Sequence, residues 1–267
     1  MALPPPGPSS AALVTGASSG IGADMARELA ARGHDLALVA RREDRMQELA
    51  DELAERHAVR AETFGCDVAE PEQRARLIGE VAERGLTVEI LINNAGFGSG
   101  GAFHALDGDG ETGMVRTNVE AVVALTSAWL PAMVERRRGA VLNLASLIAF
   151  QPIPFQATYG ASKAFVLSFT QAVHEEVRGT GVTISALCPG PVRTEFGESG
   201  GFGGADDRIP SFMWLDSETV ARAGIEGLEK GQRVIVPGVV NRLGAFSGHY
   251  MPRALLLPLV RRLWPVE

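Results

Sequence analysis

Cysteine is scarce in this sequence of 267 residues, which contains only Cys66 and Cys188. Two isolated thiols do not make a disulfide framework, so the composition indicates a reducing compartment and predicts a cytoplasmic protein. The sequence has no CxxC pair and no cluster of cysteine and histidine, and its five histidines are scattered. It therefore predicts no structural zinc site and no other metal centre.

Basic residues are also in deficit, with 25 Lys and Arg against 32 Asp and Glu and a net charge of −7 at pH 7. This balance argues against general nucleic-acid binding, which needs a basic face. Long apolar runs are missing, since the stretch 254–260 is too short to span a bilayer and is flanked by arginines. The start, MALPPPGPSS, lacks the basic and apolar regions of a signal peptide, so we expect residues 1–10 to be a disordered lead-in.

Short apolar runs alternate with helical patterns along most of the chain. The predicted strands are 11–15, 36–40, 59–64, 90–92, 140–144, 182–188 and 234–236, and the predicted helices are 21–31, 42–57, 71–84, 112–137, 158–178 and 217–229. Strands that are apolar throughout are typical of a sheet buried on both faces. The alternation predicts a doubly wound parallel sheet in one three-layer α/β/α domain at 11–237. We expect a glycine-rich lid loop at 191–215 and a C-terminal appendage at 238–267.

Glycine is the one residue type in excess, with 31 copies, and its first cluster follows the first predicted strand. The cluster is contained in TGASSGIG at 15–22, with Gly16, Ser18, Ser19, Gly20, Ile21 and Gly22 as candidate cofactor residues. A pyrophosphate bound there would lie at a helix N-terminus, where free N–H groups and the helix dipole favour anions. Position in a βαβ unit favours nucleotide binding, and the alternative is a glycine-rich turn that binds nothing.

Two arginines follow the second predicted strand, where an acidic residue would favour NAD by accepting from the ribose. Arg41 and Arg42 come directly after Ala40, and guanidinium groups pair readily with a 2′-phosphate. The pattern therefore favours NADP(H), with NAD(H) kept as the second choice. The alternative is that both arginines are solvated residues at a helix start, beside Glu43 and Asp44.

Four polar residues form a candidate catalytic set. Tyr159 and Lys163 are four residues apart in a predicted helix and therefore share a face, while Ser146 follows the fifth strand and Asn118 lies in the preceding helix. A tyrosine titrates near pH 10, and a nearby ammonium group favours its phenolate. A serine hydroxyl can stabilise charge that develops on a carbonyl oxygen. Each residue taken alone also has an ordinary structural interpretation.

These residues belong to a set of motifs that resembles the classical short-chain dehydrogenases/reductases over about residues 11–236. The motifs are TGASSGIG at 15–22, Asp67–Val68, Asn93–Gly96, Asn118, Ser146, Tyr159 and Lys163 in YGASK, and Pro189–Gly190 followed by Thr194. The resemblance implies a Rossmann-like fold and hydride transfer between a nicotinamide cofactor and a small-molecule carbonyl or alcohol. It also implies a homodimer or homotetramer built partly from the helices at 112–137 and 158–178.

The resemblance assigns a role to each catalytic residue. Tyr159 is implied as the general acid in reduction and the base in oxidation. Lys163 is implied to lower the tyrosine pKa and to bind the nicotinamide ribose. Ser146 is implied to polarise the carbonyl, and Asn118 to hold a water that links Lys163 to solvent. The further residues implied to contact the cofactor are Asp67 and Val68 at adenine, Asn94, Ala95 and Gly96 beside the fourth strand, and Pro189, Gly190, Val192 and Thr194 at nicotinamide.

The substrate region is rich in apolar side chains. An apolar pocket is predicted from Phe97, Phe150, Phe155, Phe196, Phe202, Phe212, Met213 and Trp214, each of which has core packing as its alternative. The tail after residue 252 has the composition of a basic amphipathic helix that Pro258 would kink. It is expected to cover the cleft or pack in an oligomer, and contact with a membrane surface is the weaker alternative. A non-catalytic nucleotide-sensing protein on the same fold is the rival function, and an assembly subunit is a further alternative.

Overall fold

The computed structural model describes residues 3–195 and 210–263, except for the side chains of four residues in the C-terminal helices. Its centre is a seven-stranded sheet in the order β3-β2-β1-β4-β5-β6-β7, in which every neighbouring pair is parallel. The strands are β1 (Ser10–Thr15), β2 (Asp35–Ala40), β3 (Ala61–Gly65), β4 (Thr87–Asn93), β5 (Gly139–Leu144), β6 (Val182–Leu187) and β7 (Val234–Ile235). The chain winds outward from β1 in both directions, which confirms the predicted doubly wound α/β fold.

Helices cover both faces of this sheet. They are α1 (Gly20–Ala30), α2 (Glu43–His57), α3 (Pro71–Glu83), α4 (Gly108–Val115), α5 (Ala121–Glu135), α6 (Ala157–Glu176), α7 (Ser217–Glu229), α8 (Val239–Tyr250) and α9 (Arg253–Leu263). One core joins the sheet to α1, α2 and α7, and includes Leu29, Leu53 and Ile225. The other core joins the opposite face to α3, α5 and α6 through residues such as Leu77 and Leu125. The sheet and the helices packed on each of its two faces form the three predicted layers.

The long helix predicted at 112–137 differs from the structure in a way that affects the site. It starts earlier, at Gly108, because the Asp107 carboxylate accepts from the Asp109 and Gly110 amides and caps α4. A π-helical turn at Arg116–Glu120 then separates α4 from α5. Such turns widen a helix locally and are frequent at functional sites. Hydrophobic periodicity carries no signal for this turn.

The run Gly108–Glu135 is long and apolar enough to span a membrane by length and composition, with a mean hydropathy of 1.2 over its best window. The expectation that no run is long enough overlooked it, because polar residues of the π turn interrupt its apolar stretches. Leu125 and Met133 of this run are buried against the sheet. Packing on the sheet therefore accounts for its apolar composition.

The N-terminal segment differs from the expected disordered lead-in over the residues that the structure describes. Leu3 is buried in the core that contains α1, and an Arg138 Nη2 atom donates to the Pro5 carbonyl at 2.5 Å. The proline-rich composition suggested disorder, but prolines also fix an extended backbone that lies along a surface at little entropic cost. Leu3 and Pro4 are therefore buried against the domain, while Pro5 is held at its surface by Arg138.

We expect Leu3→Ala to lower the free energy of unfolding by about 2 kcal/mol, because the substitution leaves a cavity beside the core. Urea denaturation of the purified chain measures this change. Leu243→Ala is the matched control, since Leu243 is 67% exposed and its loss should change stability by less than about 0.5 kcal/mol. If both substitutions left the free energy of unfolding almost unchanged, the expectation of a disordered N-terminal segment would be supported instead.

Candidate active site

The candidate site lies where β1 and β4 run side by side and the sheet order reverses. Ligands bind at this edge in open α/β sheets, outside the carboxyl ends of the strands. The Thr15 hydroxyl holds the two strand ends together, since it donates to the Ile92 carbonyl at 3.2 Å and accepts from the Asn94 and Ala95 amides at 3.0 Å each. Thr15 was not among the predicted site residues, although it begins the glycine motif.

The glycine turn after β1 is pressed against the end of β4. Gly16 and Gly20 have φ angles of 67° and 54°, a conformation that side chains other than glycine rarely adopt. A Cβ on Gly16 would lie 2.8 Å from the Asn94 Nδ2 atom, and one on Gly22 would overlap the Gly16 carbonyl. The turn is therefore a cradle that only glycine can form.

This cradle fits a pyrophosphate. Helix α1 begins at Gly20, and its first turn contains no acidic residue that would repel an anion. The side chain of its N-cap residue, Ser19, does not cap the backbone amides of this turn. Amides at a helix start attract a negatively charged group when no side chain occupies them. The residues present therefore fit the diphosphate of a nicotinamide dinucleotide.

The two arginines after β2 have different surroundings. Arg42 donates to the Ser18 hydroxyl at 3.0 Å and to the Ser19 hydroxyl at 2.7 Å, so it lies over the glycine turn. Arg41 is 76% exposed and lies 3.6 Å from an Asp67 carboxylate oxygen. The sequence assigns both arginines to the 2′-phosphate. In the structure only Arg42 contacts the phosphate turn, while Arg41 lies beside Asp67.

The candidate adenine residues follow β3. The second Asp67 carboxylate oxygen accepts from the Ala69 amide at 3.0 Å, and the buried Val68 offers its carbonyl to Arg74 at 2.7 Å. These contacts fix the backbone beside the adenine position implied by the resemblance. Arg74 also pairs with Glu120 in the π turn, so this loop is tied to the helix that carries Asn118.

Tyr159 and Ser146 form the centre of the catalytic set. Ser146 lies two residues after β5 and is the N-cap of a short 3₁₀ turn at Leu147–Phe150, while Tyr159 lies in the first turn of α6. Burial raises the pKa of Tyr159 to about 12, although a hydrogen bond with Ser146 acts to lower it. The phenol is therefore protonated at neutral pH and is placed to donate a proton.

Lys163 lies one turn further along α6 and is almost fully buried. Its ammonium donates to the Leu144 carbonyl at 2.8 Å and lies 5.9 Å from the centre of the Tyr159 ring. Burial lowers the pKa of Lys163 to about 8. Burial disfavours the charged form of both groups, and the implied lowering of the tyrosine pKa by Lys163 stays a prediction.

Asn118 occupies the π turn, and its side-chain amide is fully engaged. Its Nδ2 atom donates to the Phe97 carbonyl at 2.9 Å and to the Ser162 hydroxyl at 3.1 Å, and its Oδ1 atom accepts from the Phe97 amide at 3.1 Å. These bonds join the segment after β4 to α6. The implied water relay stays a prediction, and the side chain's observed contacts are with protein groups.

Gly96 lies between two members of the catalytic set. A Cβ at this position would be 2.9 Å from the Asn118 Oδ1 atom and 3.4 Å from the Lys163 Nζ atom. Glycine thus keeps open the space beside the lysine. The structure brings Gly96, Asn118, Ser146, Tyr159 and Lys163 together, as the motif order predicts.

The candidate nicotinamide residues follow β6. The Pro189 carbonyl accepts from the Leu147 amide at 2.8 Å, which ties this segment to the turn after Ser146. Val192 pairs with Leu215 in a parallel bridge that closes the base of the predicted lid loop. Residues 196–209 of that loop, including Phe196 and Phe202, lie outside the described residues.

Asn241 of α8 is a site neighbour that sequence reasoning missed. It is buried, and a Cβ on Gly190 would lie 2.5 Å from its Oδ1 atom. Its Nδ2 atom donates to the Pro237 carbonyl at 3.1 Å. The C-terminal appendage therefore packs directly on the Pro189–Gly190 segment, and no motif in the sequence signals this contact.

An apolar cavity of about 470 Å³ lies beside the start of α6. The lining combines Phe150 and the segment 151–154 with Leu257 and Arg253 of α9. Arg253 also donates to the Phe150 carbonyl at 3.3 Å, so α9 covers the loop that follows Ser146. Helix α9 continues through Pro258, and the expectation that the tail covers the substrate cleft stays a prediction.

The predicted aromatic pocket is only partly assembled in the described residues. Phe150 lines the cavity, whereas Phe212 is 69% exposed and the Trp214 ring lies under the Arg193 guanidinium at 5.3 Å. Phe155 adopts a positive φ of 68° at the end of the loop before α6. In the part of the chain that the structure describes, no group of three or more His, Cys, Asp and Glu side chains could hold a metal ion.

Comparison with known proteins identifies the family. A model described as short chain dehydrogenase matches residues 10–200. Sulfoacetaldehyde reductase 2 of Chromohalobacter salexigens is 40% identical over 187 residues, which are 69% of this chain and 73% of that protein.

Two solved structures also align over nearly the whole chain. A short-chain dehydrogenase from Sphingobium yanoikuyae in complex with NADPH has a TM-score of 0.80 at 33% identity, covering 90% of this chain and 92% of that one. The bulky-bulky ketone specific alcohol dehydrogenase from Comamonas testosteroni has a TM-score of 0.77 at 30% identity, covering 92% and 91%. With Ser146, Tyr159 and Lys163 assembled beside the glycine cradle, the chain belongs to the short-chain dehydrogenase/reductase family, whose members are oxidoreductases that act on carbonyl or alcohol groups with NAD(P).

Proposed function

We propose that this chain is an NADP(H)-preferring oxidoreductase for apolar carbonyl or alcohol substrates. The observation that carries the proposal is the placement of Ser146, Tyr159 and Lys163 within one edge of the sheet, next to the glycine cradle. When bound, the nicotinamide cofactor supplies or accepts the hydride. The chain's own groups position the substrate oxygen and move its proton.

The site performs these steps through two hydroxyl groups. In reduction, the Tyr159 phenol is the proton donor to the carbonyl oxygen, because its raised pKa of about 12 keeps it protonated. The Ser146 hydroxyl donates to the same oxygen and stabilises the negative charge that develops there. In oxidation, Tyr159 accepts the alcohol proton. A charged Lys163 stabilises the phenolate that remains after proton donation.

The preference for NADP(H) rests on Arg42. Its guanidinium bridges the two serine hydroxyls of the phosphate turn, where it can pair with a 2′-phosphate. The Sphingobium relative was solved with NADPH, which supports the same choice. NAD(H) is the alternative cofactor.

The apolar substrate class rests on the cavity beside α6. Aliphatic, aromatic and proline side chains form most of its lining, and Arg253 is its only charged lining residue in the described part of the chain. The Comamonas relative is named for bulky ketones, which a cavity of this kind could accept. Sulfoacetaldehyde reductase shows that the family also handles a small anionic aldehyde, so a carbonyl panel must include both kinds.

We also propose a cytoplasmic homodimer or homotetramer. The two cysteines are free and buried, and they follow different strands, β3 and β6, which is compatible with a reducing compartment. The outer face of α6 exposes Phe165, whose ring stacks on Phe169 with centroids 6.0 Å apart. An exposed phenylalanine stacked on a partly buried one of the same long helix is suited to contact with a second copy of the chain.

Replacement of Tyr159 by Phe should lower turnover by a factor of about 10² to 10⁴, because the general acid is lost. The dissociation constant of NADPH, measured by fluorescence titration, should stay within about twofold. Tyr250→Phe is the matched control, since Tyr250 is the only other tyrosine and lies on the surface of α8. Unchanged turnover in Tyr159→Phe would refute the assigned role.

A wild-type chain that binds NADPH but reduces no member of a broad carbonyl panel would instead favour the nucleotide-sensing alternative. A chain that binds neither cofactor would favour the assembly subunit.

Carbonyl reduction should weaken as the pH rises through about 8. Below this value Lys163 is charged and stabilises the phenolate, and above it the buried amine loses its proton. We expect the kcat/KM for reduction to be constant below about pH 7 and to fall close to tenfold per unit well above pH 8. Initial rates from pH 6 to 10, with NADPH affinity measured at each pH, test this. A flat profile up to pH 10 would contradict it.

Light scattering after size exclusion should give two or four times the protomer mass of 28.3 kDa. Phe165→Glu should shift the population toward the monomer, because it places a charge on the proposed contact face. Phe103→Glu is the control, since Phe103 is 63% exposed but lies outside the two long helices. A monomeric wild type would overturn the proposed assembly.

A further inference from the structure

Glu195 lies between two arginines at the start of α2. Its Oε2 atom accepts from the Arg42 Nη1 atom at 2.9 Å, and its Oε1 atom accepts from the Arg45 Nη1 atom at 2.6 Å. These hydrogen bonds lower the pKa of Glu195 to about 2, so the carboxylate is ionised at neutral pH. One carboxylate thus engages two guanidinium groups at once.

This ion cluster covers the glycine turn. Two Arg42 nitrogens donate to the Ser18 hydroxyl, at 3.0 and 3.2 Å, and Nη2 also donates to the Ser19 hydroxyl. The residue before Glu195 is equally close to the turn, because a Cβ on Gly20 would lie 3.1 Å from the Thr194 Cγ2 atom. The carboxylate therefore occupies an anion position between the two arginines, beside the turn that Arg42 covers.

We propose that Glu195 competes with the 2′-phosphate of the cofactor for Arg42 and Arg45, and that Arg45 is a second phosphate-selecting residue. The proposal rests on the NADP(H) preference argued above and names the residues that set its strength. Glu195 then lowers the affinity for a 2′-phosphorylated ligand without affecting an unphosphorylated one. Arg42 and Arg45 raise the selectivity of the chain for NADP(H) over NAD(H), and the competing Glu195 carboxylate lowers it.

The strength of the ion pairs is compatible with such an exchange. The side chains of Arg42, Arg45 and Glu195 are 42%, 43% and 50% exposed, and ion pairs with this exposure are weak because water competes for both partners. A phosphate monoester carries about −1.5 to −2 charges near pH 7 and has three acceptor oxygens. It can therefore displace a single carboxylate from both guanidinium groups.

Adenosine 2′,5′-bisphosphate and 5′-AMP are suitable probes, because they differ only in the 2′-phosphate and need no catalytic turnover. Isothermal titration calorimetry of the full chain should show that Glu195→Gln binds the bisphosphate about three- to tenfold more tightly, the range expected from losing one or two exposed ion pairs. The affinity for 5′-AMP should stay within about twofold. Glu48 is an exposed glutamate on α2, the helix that carries Arg45. Glu48→Gln is the charge-matched control and should leave both affinities within about twofold.

Two further variants separate this proposal from the proposed cofactor preference. Arg42→Ala and Arg45→Ala should each weaken bisphosphate binding more than 5′-AMP binding. If they do so while Glu195→Gln binds the bisphosphate no more tightly than wild type, competition by Glu195 is refuted and the NADP(H) preference stands. If neither arginine variant changes the ratio of the two affinities, the NADP(H) preference fails and the competition fails with it.

Discussion

The close approach of the β1 turn to the end of β4 is the constraint on which the rest of the site depends. Gly16 and Gly22 bring the turn against Asn94, and the Thr15 hydroxyl bonds to the backbone on both sides of the gap. The cradle, the direction of α1 and the position of Gly96 all follow from this contact. A side chain at either glycine would separate the two strands and displace the cofactor residues from the catalytic ones at the same time.

Burial shifts the pKa values of the two catalytic titrating groups in opposite directions, and at neutral pH both groups still keep their protons. It raises the pKa of Tyr159, so the phenol keeps its proton, and it lowers the pKa of Lys163 to about 8, so the amine loses charge readily. Both shifts have the same cause, since a dry site disfavours charge of either sign. The Leu144 carbonyl at the end of β5 holds the lysine by a hydrogen bond, so the strand that positions Ser146 also positions its partner.

Sequence reasoning recovers what local pattern determines. Most strands are apolar runs, Ser146 follows one of them, and Tyr159 and Lys163 share a face of the next helix. The sheet, its three layers and the grouping of these three residues were therefore predictable. The features it missed depend on contacts between distant segments. The packing of Leu3, the separate environments of Arg41 and Arg42, and the contact of Asn241 with Gly190 arise only when the chain is folded. The π turn that carries Asn118 is local, but residue periodicity does not encode it.

The arrangement separates the choice of cofactor from the choice of substrate. Arg42 and Glu195 meet at the end of β2, on one side of the β1–β4 junction, whereas the apolar cavity and α9 lie beyond β5, on the other side. Sites that are far apart act nearly additively, so substitutions in the Arg42 cluster and in the cavity lining should combine nearly additively. On the proposed assignments, the choice of substrate depends on the cavity and α9, and the response to the 2′-phosphate depends on the Arg42 cluster.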